Sequence, residues 1–183
     1  MTESPVAVAQ NPDELFDVVD GNDCVIAQAT RAEVHAGKLF HRAVHILVRD
    51  GNGNIILQKR SLAKDTCPGL FSTSCAGHVD AGETYDTAAV RELEEELGIP
   101  REAAKAIQFL FSMPPQEKLG WEFIRVYLLD YSGTLIPNPA EIDALISLSP
   151  DALAEKIMRD TRSFADSFLL VFDEFKKMKI SDI

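Results

Sequence analysis

One short stretch of this chain concentrates carboxylates: Glu83, Glu92, Glu94, Glu95 and Glu96 lie between Gly77 and Ile99, with Arg91 among them. If residues 85 to 97 are helical, Glu92 and Glu96 are i,i+4 neighbours and Glu92 and Glu95 are i,i+3 neighbours, so these three share one strip. Glu94 points elsewhere and reads as a solvated charge. Like charges at such spacings destabilise an isolated helix by about 0.2–0.5 kcal/mol per pair, so the strip invites a cation. Hard oxygen ligands suit Mg²⁺, with Mn²⁺ as an alternative, held by a few carboxylates, waters and substrate phosphates. A Glu-rich helix alone is most often a solvated face. Gly77, Glu83 and Arg91 at fixed distances from the strip turn that reading toward a metal site.

Several elements must hold the strip in place. Ala89, Val90, Leu93 and Leu97 fall on one face of the same helix and would anchor it to a core. Thr84 suits the N-cap, Gly98 the C′ position, and Pro100 blocks continuation. Residues 70 to 76 read as one strand leading in. Upstream, residues 15–19 and 24–27 flank Asp20-Gly21-Asn22-Asp23 as a hairpin, and residues 42–48 and 55–59 flank a second turn at 50–54. Thr30 can cap a short helix through His35. Strands are expected at 106–111, 122–129 and 142–148, and a helix opens at Ser149-Pro150. Phe164, Phe168, Leu169, Phe172 and Phe175 recur at helical intervals and read as core packing. Residues 1 to 13 are expected to be frayed.

The chain has 183 residues, 46% of them hydrophobic, enough for a sizeable core in one domain spanning 1–183. A net charge of −11 disfavours nucleic-acid and anionic-membrane partners. A polyanionic substrate would then need metal and a few local cations. There is no apolar run of bilayer length and no signal-peptide pattern. Three cysteines, Cys24, Cys67 and Cys75, lack metal-ligand spacing, and a reduced, cytoplasmic setting is expected. A homodimer is compatible with all of this.

Residues 77 to 99 fit Gly-x5-Glu-x7-Arg-Glu-U-x-Glu-Glu-x-Gly-U, with U aliphatic, at every specified position. A chance match has a probability on the order of 10⁻⁸ per start position. This is the Nudix box, and the chain resembles Nudix hydrolases. The resemblance implies an α/β fold, an α/β/α sandwich with mixed sheets, here preceded by the N-terminal hairpin. It also implies roles: Glu92, Glu95 and Glu96 as metal ligands, with the Gly77 carbonyl, and Arg91 orienting carboxylates that include Glu83. The implied reaction is hydrolysis of a pyrophosphate bond, with Glu95 or Glu141 as candidate general base.

Beyond the box, residues 15 to 157 resemble the Nudix group related to type I isopentenyl-diphosphate isomerase, in pieces such as His41-Arg42-Ala43, Gln58-Lys59-Arg60-Ser61 and Lys64-Asp65-Thr66-Cys67-Pro68-Gly69. Those isomerases use a cysteine immediately before a Gly-His pair; here that position is Ala76. Cys75 lies one residue earlier, and a one-residue shift on a strand reverses the face, so it reads as a small buried hydrophobe. Of the isomerases' Glu-x-Glu pair only Glu122 is kept. His35, His41 and His78 match their metal-binding histidines, although a surface turn, a strand-edge hydrogen bond and a loop contact also account for them. Arg60, Lys64, Glu122 and Glu141 are the candidates for substrate contact; Lys118 and Arg125 are further cations, and Trp121 and Phe123 read as core. The expected activity is Mg²⁺-dependent cleavage of a pyrophosphate bond in a nucleoside diphosphate-linked or related phosphorylated small molecule. The alternatives are an isomerase-like activity or a nucleotide-binding module without turnover.

Overall fold

The computed structural model describes residues 10–178, so residues 1–9 of the expected frayed segment lie outside the described residues. The chain opens with a hairpin, β1 (Leu15–Val19) against β2 (Val25–Thr30), antiparallel. Thr30 then caps α1 (Arg31–Gly37) in a capping box with Glu33.

The main sheet is built on β3 (His41–Arg49), buried along most of its length. One edge of β3 pairs in parallel with β8 (Glu122–Asp130), which puts His41 opposite Glu122. The antiparallel neighbour of β8 is β7 (Gln108–Met113). The other edge of β3 is shared by two strands. Near its C-terminal end it pairs with β4 (Ile55–Arg60), at Val48↔Ile56 and Arg49↔Ile55. From Ala43 to Ile46 it pairs instead with β6 (Cys75–His78). In turn β4 pairs with β5 (Phe71–Ser72) and with β9 (Ile142–Leu148). The sheet therefore forks where β4 leaves β3.

This fork explains a departure from the sequence reading. The single strand expected over residues 70–76 is two short strands, because the chain steps from the edge of β4 to the edge of β3. Thr73 and Ser74 make the step. Ser74 bridges the two strands: its Oγ accepts from the Val48 N–H at 2.6 Å and donates to the Ile56 carbonyl. Backbone groups separated by the fork are thus still satisfied.

Helices cover both faces, as the α/β/α expectation requires. On one side lies α2 (Tyr85–Leu97), which buries Ala89, Leu93 and Leu97 against Val44, Ile46 and Val48. Thr84 accepts from the Thr87 N–H as N-cap, and Gly98 closes the helix at φ 65°. A four-residue helix, α3 (Arg101–Ala104), follows. On the other side, α5 (Asp166–Lys177) packs Phe168, Phe172 and Phe175 against Leu47, Leu57 and Leu128, with Leu153 of α4 (Pro150–Arg159) in the same cluster. The Phe164–Phe168–Phe172–Phe175 rings stack in sequence at 5.6, 5.8 and 6.4 Å, so the aromatic stripe is core. Trp121 and Phe123 are only partly buried and lie against Phe40 instead of in the core. No described helix is long and apolar enough to cross a membrane.

Candidate active site

Strand alternation on β6 sorts the residues around the box. Cys75 and Gly77 face α2, while Ala76 and His78 face a cleft on the α5 side. The consequence at Gly77 is steric. A Cβ there would stand 2.0 Å from the Glu92 carboxylate, so only glycine lets that carboxylate lie against the strand. Cys75 is fully buried among the α2 packing residues, and burial pushes its thiol well above the ordinary range. It is the small core hydrophobe expected, and it does not reach the cleft.

Arg91 organises the carboxylates. Its Nε and Nη2 donate to Glu83 at 3.2 and 2.9 Å. Its Nη1 donates to Glu92 at 2.7 Å and to Glu95 at 3.1 Å. Nη2 also donates to the His78 carbonyl at 2.9 Å, which ties the helix to the end of β6. The two buried carboxylates differ in surroundings. Burial, then the nearby Glu96, pushes Glu92 above the usual carboxylate range against the pull of Arg91. Burial raises Glu96 too, with Lys64 opposing and Glu141 adding to the rise. Glu96 accepts from Gln58 Nε2 at 3.0 Å and from the Ala76 N–H at 3.4 Å. Glu95 lines the same cleft but is half-exposed at its side chain. Glu94 turns away, as the spacing predicts, and accepts from Arg101 at 2.5 Å.

The later candidates converge on this cleft. The loop carrying Glu141 is pinned to the end of α2 by Ile136 N–H to Leu97 O and Asn138 N–H to Glu96 O, both 2.8 Å. Glu141 forms an ion pair with Lys64, both side chains being largely buried. Arg60 ends β4 and is fixed by Thr66, whose carbonyl accepts from Nε at 2.9 Å and whose hydroxyl accepts from Nη2 at 3.1 Å.

At the opposite end of the cleft, residues from α1, β3, β6 and β8 meet. His35, His41 and His78 each offer a ring nitrogen within 4.8 Å of the others. Glu122 Oε1 lies 3.1 Å from His78 Nε2 and 3.6 Å from His41 Nε2. His41 Nδ1 donates to the Leu39 carbonyl at 2.9 Å, so Nε2 is the ring atom turned toward Glu122. The Nε2 atoms of His35 and His41 are both buried without a hydrogen-bond partner. Burial lowers His35 and pushes His78 down to about 4, so these two rings are neutral at pH 7. Although burial alone would raise Glu122, His41 and His78 hold its carboxyl well below the usual range. Orphaned neutral nitrogens beside a carboxylate fit a borderline divalent ion. The three histidines therefore meet in one cluster with Glu122, in which His41 keeps the expected strand-edge hydrogen bond and His78 contacts Arg31 and Glu122.

Arg31 is a cleft residue that the sequence reading missed. It is 6% exposed, its Nη1 donates to His78 Nδ1 at 2.9 Å, and its Nη2 donates to Asp65 at 3.3 Å. Its position just after the Thr30 cap was the available signal, but the cap does not reveal where the side chain goes. Lys118 and Arg125 are set apart from the carboxylates: Lys118 borders a neighbouring chamber, and Arg125 lies over the Tyr85 ring at 4.3 Å.

The chain is similar to known proteins in sequence and fold. The NUDIX domain model matches residues 39–168. An uncharacterised Nudix hydrolase from Yersinia pestis is 37% identical over 157 residues, covering 81% of this chain and 82% of that protein. Isopentenyl-diphosphate Delta-isomerase 2 from Photorhabdus laumondii is 33% identical over 151 residues, covering 76% and 85%. Among solved structures, DR0079 from Deinococcus radiodurans is 30% identical with a TM-score of 0.75, covering 86% of this chain and 97% of that one. With its box intact from Gly77 to Ile99, the chain belongs to the Nudix family and is an enzyme of its hydrolase class.

Proposed function

We propose that the chain cleaves the pyrophosphate bond of a nucleoside diphosphate-linked or related phosphorylated small molecule, with Mg²⁺ or Mn²⁺ held by Glu92, Glu95, Glu96 and the Gly77 carbonyl. The observation that carries this reading is the arginine-centred carboxylate set, in which Arg91 bonds Glu83, Glu92 and Glu95 while Glu92 lies against Gly77. When bound, a divalent ion neutralises the diphosphate and polarises phosphorus. The protein's own groups do the rest. Arg60, held by Thr66, and Arg31 present guanidinium groups to the phosphates. Lys64 is bound to Glu141 in the free enzyme. An arriving phosphate competes for that ammonium and releases the Glu141 carboxylate, which, like Glu95, is placed to take a proton from the attacking water. The chain acts as a single domain in a reduced, cytoplasmic setting.

An isomerase-like reading is favoured by the His35–His41–His78–Glu122 cluster and by the isomerase relatives. Ala76 in the cleft and Cys75 facing α2 weigh against it.

One experiment separates these readings. Wild type and Glu96→Gln are assayed with Mg²⁺ and with Mn²⁺ on a library of phosphorylated metabolites that includes isopentenyl diphosphate. The expected result is release of phosphate or a monophosphate by wild type, reduced on the order of 10³-fold in the variant. Equal rates in the two proteins would sink the hydrolase assignment. Formation of dimethylallyl diphosphate would support the isomerase reading, and nucleotide binding without any turnover would indicate a binding module.

A further inference from the structure

Apart from the histidine cluster, the cleft contains a buried base that the proposed reaction does not use. His45 lies on β3 with its side chain toward the cleft, 5% exposed, opposite Ala76 on β6. Its Nδ1 is 3.1 Å from the Thr73 hydroxyl, and that hydroxyl donates to the Cys75 carbonyl at 3.2 Å. A hydroxyl has one proton. With that proton on the Cys75 carbonyl, Thr73 receives its hydrogen bond from His45, so Nδ1 carries the hydrogen and Nε2 is a lone pair. No protein group among the described residues bonds Nε2. Thr73 is itself fully buried, in the fork step between β5 and β6, so this contact holds the imidazole's orientation and favours the tautomer with Nδ1–H. An acceptor held this rigidly in a pocket discriminates, because it leaves a polar atom unpaired when the ligand offers no donor.

The surroundings indicate which part of the substrate it meets. His45 shares a face of β3 with His41 and lines the cleft together with Arg60 and Glu122, so the ring borders the same space as the phosphate cation and the histidine end. Beyond it, a second chamber of about 610 Å³ shares Thr66, Cys67, His78 and Ser167 with the cleft. Its wall mixes Leu119 and Phe164 with Lys118 and Arg162, and neither cation has an ion-pair partner among the described residues. Both cations are exposed to water, which a polar ligand group can replace and a bare hydrocarbon cannot.

Resting on the pyrophosphohydrolase reading, we propose that His45 is a specificity-determining residue whose Nε2 accepts a hydrogen bond from a hydroxyl on the group esterified to the diphosphate. The enzyme then selects hydroxyl-bearing diphosphate esters over alkyl ones. The test uses matched pairs: uridine diphosphate against its 2′,3′-dideoxy form, and 2,3-dihydroxypropyl diphosphate against propyl diphosphate. kcat/KM is measured with Mg²⁺ for wild type, His45→Phe, His45→Asn and Thr73→Val. Wild type is expected to prefer the hydroxylated member of at least one pair by ~10-fold, the worth of one hydrogen bond, chiefly through KM. His45→Phe brings that ratio to about one. His45→Asn, which offers an amide oxygen, keeps part of it, and Thr73→Val lowers it partway by freeing the tautomer. Equal rates within both pairs in wild type, or an undiminished ratio in His45→Phe, overturn the proposal. If no compound is turned over, the hydrolase reading fails, and calorimetric Kd values for the same pairs decide the role of His45: a ~10-fold preference abolished by His45→Phe supports it, and equal affinities overturn it.

Discussion

At one end of the cleft a single cation, Arg91, gathers carboxylates; at the other a single carboxylate, Glu122, gathers imidazoles. Each end is left incomplete, for a different reason. Glu92 and Glu96 are buried beside one another with one guanidinium among the carboxylates, so burial and mutual repulsion lift both. The histidine end is short of partners, since the Nε2 atoms of His35 and His41 are buried without a hydrogen-bond partner. Excess hard charge suits Mg²⁺, whereas orphaned imidazole nitrogens suit a softer divalent ion. The two ends therefore differ in chemical character, and they can be separated experimentally.

The largest effect is expected where the carboxylate end is tightest. Gly77→Ala places a Cβ at 2.0 Å from the Glu92 carboxylate and must drive it off the strand and away from Arg91. A displacement of about 1 Å in positioned groups costs on the order of 10²–10³ in kcat. At the other end, His41→Asn removes one orphaned nitrogen and leaves the strip untouched, and about a tenfold loss or less is expected. Steady-state rates with Mg²⁺ check both. If His41→Asn proves as damaging as Gly77→Ala, the two ends function as one unit and the division drawn above is wrong.

A smaller effect distinguishes the ends by sign. Burial raises Glu92 above its unfolded value of 4.5, so its contribution to stability is full below pH 4.5 and is lost as pH rises through the folded value. Burial, opposed by Glu122, pushes His78 down to about 4 from an ordinary 6.5. Its contribution is full above pH 6.5 and is lost as pH falls toward 4. At 1.36 kcal/mol per unit of displacement, the His78 contribution is at most about 3 kcal/mol. Urea unfolding of chelator-treated protein at pH 5, 6.5 and 8 reads both. Relative to wild type, Glu92→Gln should gain most at pH 8 and His78→Gln most at pH 5. The same direction of change in both variants would show that the ends share one titrating network.

The two ends also differ in how far the sequence exposes them. Glu92, Glu95 and Glu96 were legible because helix spacing is local: thirteen residues with a capping threonine and a closing glycine fix their relative directions. The reversal of Ala76 and Cys75 was legible for the same reason, since strand alternation is local too. Resemblance could name His35, His41 and His78, but local pattern could not bring them together. Their meeting depends on the parallel pairing of β3 with β8, which sets His41 beside Glu122, and on β6 taking the edge of β3 that β4 vacates. The fork was hidden because the stretch from Leu70 to Ala76 has no glycine or proline to mark the step at Thr73–Ser74. The direction of Arg31 was hidden because a helix cap fixes the backbone and leaves a long side chain to tertiary contacts.

The smallest expected effect tests whether strip geometry or bulk acidity makes the carboxylate end. Glu94 sits between Glu92 and Glu95 on α2, so any diffuse acidic field at the helix includes it. Its side chain is 42% exposed and bonded at 2.5 Å to Arg101, itself 60% exposed just past Pro100. Exposed pairs of this kind contribute little to stability, and solvent screens the charge from the buried strip. Glu94→Gln is therefore expected to leave kcat/KM within about twofold, Mg²⁺ affinity unchanged, and the melting temperature within about 2 °C. A tenfold loss of Mg²⁺ affinity would mean that the helix holds its ion by total charge. An unchanged affinity, set beside the loss in Glu96→Gln two residues on, would tie the metal to the face and not to the count of carboxylates.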